Sequence, residues 1–182
     1  MGERDLRRRC RRMLRDLGIR PPLDVEELCR RVGDQRGREI KLLAYPLTVP
    51  GPFGVWIASQ KADYVFYQEA TSKIHQRHII LHELGHIIAG HESDGAGVDT
   101  LGQAIPRNQD GGLRQFPDLG PEAVRKAQLR TCYDTASERE AESVATIILE
   151  WASVIDRMAP MASSTTATRR MESALGDHLG WL

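Results

Sequence analysis

The chain has little with which to build a covalent framework. Its cysteines, Cys10, Cys29 and Cys132, are odd in number and show no CxxC spacing. That argues against a disulfide scaffold or a cysteine zinc site and for a reducing, cytoplasmic setting. Charge of one sign is also missing. Lys plus Arg and Asp plus Glu balance at 25 each, so bulk electrostatics give no reason to expect nucleic acid or acidic membrane as a partner. No apolar run approaches the roughly 20 residues of a membrane-spanning helix. The arginine-rich N-terminus is not followed by an apolar segment, so a secretory signal is not expected. There is no internal repeat. What remains is a globular composition, 41% hydrophobic and 27% charged over 182 residues, which suits one domain.

Residues 3–17 read as an amphipathic helix. Leu6, Cys10, Met13, Leu14 and Leu17 recur at helical spacing and Gly18 ends it. Arginines 4, 7, 8, 11, 12 and 15 fill the other face. Acidic Glu3, Asp5 and Asp16 dilute them, and no aromatic residues interleave for base stacking, so the face reads as solvated scaffold. After Pro21-Pro22, Asp24 with Glu27 has the pattern of a capping box opening a second helix, with Val25, Leu28, Cys29 and Val32 inward and Gly33 near its end. Three strands are expected at 39–45, 54–59 and 63–68. The last two should form a hairpin and the first should lie adjacent, giving a three-stranded antiparallel sheet that needs a helix against it.

Residues 72–90 supply that helix, and it carries the chemistry. His82-Glu83-Leu84-Gly85-His86 lies between Ile79-Ile80-Leu81 and Ile87-Ile88-Ala89. Histidines four apart share one helical face about 6 Å apart along the axis, close enough for one tetrahedral zinc. With His82 at 0°, His86 falls at about 40° and Glu83 at about 100°, while Ile74, Ile80, Leu81, Leu84, Ile87 and Ile88 occupy the opposite side. Glu83 is then placed to act as general base on water. His91, at about 180° if the helix continues, is not expected to be a ligand.

Residues 92–120 are glycine-rich and read as a long loop, followed by a short helix at 121–130. A last strong helix is expected at 137–155, then a linker-like tail at 159–182. On this last helix Ala141, Val144, Ala145, Ile148, Leu149, Ala152 and Ile155 form an apolar stripe. Glu138 lies inside the stripe, Glu142 borders it and Glu140 points away. A carboxylate aimed inward needs a partner. Glu138 is therefore the candidate third metal ligand, with Glu140 and Glu142 as alternatives. Glu142 can also accept a hydrogen bond from a ligand histidine. The competing role for these acids is capping, Thr135 with Glu138 or Ser137 with Glu140.

The run 76–81 leading into His82-Glu83-Leu84-Gly85-His86, followed by Glu138-Arg139-Glu140-Ala141 and Ala145, resembles the ImmA/IrrE metallopeptidases over roughly residues 20–155. The resemblance implies an α+β, mostly helical, zincin-like domain over 1–158 with its small sheet packed on the HExxH helix. It implies metal ligands His82, His86 and Glu138, the general base Glu83, a zinc cofactor, and a helix-turn-helix repressor as protein substrate. The chain departs from the family's usual pattern at Glu142, Val144 and Leu149-Glu150. Tyr67, His75, His78 and Tyr133 are the candidates for stabilising an oxyanion. Two other functions stay open: a zinc-stabilised protein that sequesters a partner without cutting it, and a DNA-binding regulator using the arginine-rich helix.

Overall fold

Local sequence signals set most of the helix ends. In a computed structural model, described here for residues 2–47, 49, 51–59, 61–91 and 135–158, α1 spans Glu3–Asp16 and α2 Val25–Arg36. Strands β1 (Glu39–Tyr45), β2 (Gly54–Ala58) and β3 (Ala62–Gln68) follow, then α3 (Lys73–Ala89) and α4 (Thr135–Met158). Asp24 caps α2 as expected, its carboxylate accepting the Glu27 N–H at 3.0 Å. Glu27 turns to Arg30 and Arg31 instead of closing the other half of a capping box. The helix runs past Gly33 and closes at Gly37. The expected loop at 92–120, the helix at 121–130, the tail and the Ile155 side chain lie outside the described residues, as do Cys132 and Tyr133.

The sheet corrects the antiparallel expectation. Its order is β1-β3-β2, with β1 parallel to β3 and β2 antiparallel to it. The hairpin of the last two strands is present, but its second strand takes the middle. Two features account for this. Strand β3 is the most thoroughly buried of the three and so belongs at the centre. Gln68, at the end of β3, bonds both Leu47 and Phe53: its N–H donates to the Phe53 carbonyl at 2.8 Å and its side-chain amide to the Leu47 carbonyl at 2.8 Å. Chain direction therefore reverses across β3, and β1 and β2 flank it.

One face of the sheet, with Ile40, Trp56 and Val65, joins the helices in the main core. The other gathers Val55, Ile57, Tyr64 and Phe66 with Leu47. Asp63, wholly buried, accepts the Trp56 indole N–H at 3.1 Å and an Arg36 guanidinium N–H at 3.1 Å, with Arg38 at 3.2 Å. This ties the sheet to α2 and the segment after it. Helix α1 buries Leu6, Cys10 and Leu14 and pairs Arg7 with Glu150 of α4 at 2.6 Å. Most of its arginine face is exposed.

Helix α3 buries Ile80, Leu81, Leu84 and Ile87 as its periodicity requires, but Ile74, expected on that face, is 82% exposed. The helix meets the sheet and packs more extensively on α4, where Val144, Ala145 and Ile148 are buried. The fold is α+β. Among the described residues no helix is long and apolar enough to cross a membrane.

Candidate metal centre

The pairing of α3 with α4 turns on a glycine. A Cβ built on Gly85 would stand 2.8 Å from the Ala141 carbonyl oxygen and 2.9 Å from its Cα. Only a residue without a side chain lets the two backbones approach this closely. Gly85 lies between the two motif histidines, and Ala141 lies one turn after Glu138. Their contact therefore presents Glu138 to His82 and His86.

Three side chains converge. The Nε2 atoms of His82 and His86 are 3.1 Å apart. Glu138 Oε2 lies 3.3 Å from His82 Nε2, and its Oε1 lies 3.5 Å from His86 Nε2. This His-His-Glu cluster, all within 4.8 Å, could hold a metal ion. His86 is fully buried, while the Glu138 side chain is 45% exposed and faces the cleft. Its neighbours on the apolar stripe are buried, so the inward turn expected of Glu138 is a turn towards the histidines. Helix α4 already begins at Thr135, which places Ser137 and Glu138 in its first turn, and the Glu138 carboxylate is directed at the imidazoles.

The electrostatics favour ligation. Burial, reinforced by His82 and His91, lowers the His86 pKa to about 3, so the ring is neutral and its lone pair available. Glu83 is buried beside the cluster. Burial raises its pKa to about 8, the Glu138 charge adds to the rise, and a backbone hydrogen bond from Trp56 opposes it. Strand β2 presses against this glutamate. A Cβ on Gly54 would lie 2.6 Å from Glu83 Oε1 and 2.5 Å from Ile79 Cγ2. A cavity of about 360 Å³ opens here, bounded by Gly54, Trp56, His78, His82, Glu83 and Glu138 among others. One wall is β2, the terminal strand of the described sheet.

Around the three candidate ligands stand groups whose roles the sequence conveyed unevenly. Glu142 lies 3.4 Å from His82 Nδ1, the acceptor position anticipated for it, and 3.2 Å from His78 Nε2. Of the oxyanion candidates, His78 lines the cavity. His75 instead contacts Thr71 at 2.8 Å and the Phe53 ring. Tyr67 packs against the main core, and burial together with Glu26 raises its pKa.

The sequence reading named His91 and Glu140 but not the contact that joins them behind His86. Helix α3 does not continue to residue 91. Gly90 adopts φ 68° and closes the helix, and the His91 N–H returns to the His86 carbonyl at 3.1 Å. The His91 ring then lies against His86, Nδ1 to Nδ1 at 3.0 Å, with its Nε2 3.5 Å from Glu140 Oε2. Glu140, expected to point away, is half-buried in this contact. A glycine just past the last apolar-periodic residue was the available signal, because it marks a left-handed helix end.

Comparison with protein-family models, curated proteins and solved structures finds no match to this chain.

Proposed function

We propose that the chain is a zinc-dependent endopeptidase of zincin-like architecture, with His82, His86 and Glu138 as metal ligands and Glu83 as general base. The observation that carries this reading is the convergence of two imidazole Nε2 atoms and one carboxylate beside a buried glutamate in a single cleft. Tetrahedral zinc with ligand bonds of about 2.0–2.1 Å sets its donor atoms roughly 3.3–3.4 Å apart. The two Nε2 atoms, 3.1 Å apart, lie close to that spacing, and the Glu138 carboxylate turns one oxygen toward each ring, Oε2 at 3.3 Å from His82 and Oε1 at 3.5 Å from His86. Two imidazoles and a carboxylate suit zinc better than calcium or magnesium.

Zinc would supply a Lewis acid that activates water and polarises a carbonyl. The chain's own residues supply the rest. The positive charge of a bound zinc would favour the ionised form of Glu83 against the burial that keeps it protonated in the metal-free protein, and the carboxylate then takes the proton from the attacking water and returns it to the leaving amine. Glu142 holds His82 in orientation through Nδ1. His78, on the cavity wall, is the described candidate best placed to donate to a developing oxyanion. The outer edge of β2 offers an extended peptide a strand to pair with. The likeness to ImmA/IrrE proteins supports a helix-turn-helix repressor as substrate.

The test is co-expression with candidate helix-turn-helix repressors. Wild type should cleave one of them, and Glu83→Gln should bind zinc with unchanged stoichiometry and leave it intact. Full cleavage by Glu83→Gln would sink the mechanism. One observation favours the binding reading, in which the chain sequesters a partner uncut: the Glu83 carboxylate is hydrogen-bonded by β2 and closed in by Gly54. Repressor bound and uncut by the zinc-loaded wild type would select that reading.

A further inference from the structure

The two candidate ligand histidines are held from behind by different means. Histidine bound to a metal through Nε2 carries its remaining proton on Nδ1, and a carboxylate or carbonyl ordinarily accepts it, fixing tautomer and ring orientation. His82 meets that pattern directly, with Glu142 at 3.4 Å from Nδ1. His86 faces a second imidazole instead, His91 Nδ1 at 3.0 Å. Only one proton can lie between two nitrogens. If His86 donates it, His91 must accept at Nδ1, and a neutral imidazole that accepts at one nitrogen carries its proton on the other. That other nitrogen, His91 Nε2, is the one that faces Glu140 Oε2 at 3.5 Å.

We infer that Glu140 and His91 form a relay that locks His86 in the Nδ1–H tautomer and aims its Nε2 at the metal position, so that His91 is a positioning residue of the site and not a ligand. The inference rests on the metal reading above and adds two residues to it. Geometry excludes ligation by His91 in this arrangement, because its nearest nitrogen addresses the far side of the His86 ring. The relay draws on three elements. His86 comes from α3, Glu140 from α4, and His91 from the turn that Gly90 makes at φ 68°. The His91 side chain is only 10% exposed and His86 is fully buried, so water competes poorly for the contact between the two rings.

The experiment uses the full chain as wild type, His91→Ala, His91→Asn and Glu140→Gln. Zinc affinity is read by competition with a chromophoric chelator, and the ligand field by the visible absorption of the cobalt(II) form. Loss of an outer partner to a ligand histidine costs about 10–100-fold in metal affinity. His91→Ala should fall by that factor and shift the cobalt bands. His91→Asn, whose side-chain oxygen can accept at the former Nδ1 position, should recover most of the affinity. Glu140→Gln should give a smaller loss. Should His91→Ala fail to fold, Glu140→Gln and His91→Asn decide. Wild-type affinity and wild-type cobalt spectra in both His91→Ala and Glu140→Gln overturn the relay. If wild type itself takes up neither metal, the metal reading falls. The relay is then judged by nitrogen-15 imidazole spectra of the metal-free protein. Nδ1–H at His86 in wild type, lost in His91→Ala, supports it, and Nε2–H in wild type overturns it.

Discussion

Gly85→Ala removes no candidate ligand and adds a single methyl group, yet it should damage the proposed metal centre. The new Cβ would stand 2.8 Å from the Ala141 carbonyl oxygen, 2.9 Å from its Cα and 3.2 Å from its carbonyl carbon. All three are backbone atoms, so no flexible side chain can yield. Ordinary contact begins near 3.4 Å, so α3 and α4 must part by roughly 0.6 Å. Both Glu138 spacings, 3.3 and 3.5 Å, cross this same interface. Metal sites tolerate about ±0.2 Å in ligand distance, about a third of that displacement. Zinc affinity should therefore drop by at least the roughly 10-fold that misorienting one ligand costs. Stability should fall by a comparable amount. Overpacking costs about 1–3 kcal/mol, and replacing a helical glycine by alanine returns about 0.5–1 kcal/mol. The assay is a chelator competition titration paired with thermal melts of the metal-free protein. Wild-type zinc affinity in a folded Gly85→Ala protein would refute the claim that this contact sets the ligand spacing.

Glu83 should make the metal-free protein less stable as pH rises. Its folded pKa is raised to about 8, so its contribution is fully present below about 4.5 and is lost as pH climbs through 8; at pH 7 the loss amounts to about 3 kcal/mol. His86, lowered to about 3, acts the other way, costing stability as pH falls from about 6.5 towards 3. Denaturant melts of Glu83→Gln against wild type isolate the first effect, and parallel curves between pH 5 and 8 would contradict it. Gly54→Ala drives a methyl group into Glu83 and Ile79. It should leave zinc binding within a few-fold while lowering kcat at least 10-fold, and unchanged turnover would count against Glu83 acting from that position. Asp63→Ala should cost about 2–4 kcal/mol by stranding Arg36, Arg38 and the Trp56 indole. Urea melts followed by tryptophan fluorescence check it, and a loss under 1 kcal/mol would show the cluster to be dispensable.

Most features that depended on residues within one helix were legible in the sequence, the exposed Ile74 at the start of α3 being an exception. The spacing of His82, Glu83 and His86 puts them on one side of α3 whatever surrounds it, and the apolar stripe of α4 orients Glu138 and Glu142 in the same way. These are consequences of 3.6 residues per turn, a local property. The cap at Asp24 is equally local. Only the tertiary structure decided that β3 would lie between β1 and β2, an order in which Gln68 bonds Leu47 and Phe53, 21 and 15 residues earlier. It alone brought Gly85 against Ala141, a contact between residues 56 positions apart. It also placed His91 behind His86. A helical projection carried past its end sent that residue to the wrong side, whereas the turn at Gly90 brought it back to face Glu140 on another helix. Periodicity fixes a direction within an element, and the spacing between elements comes from packing.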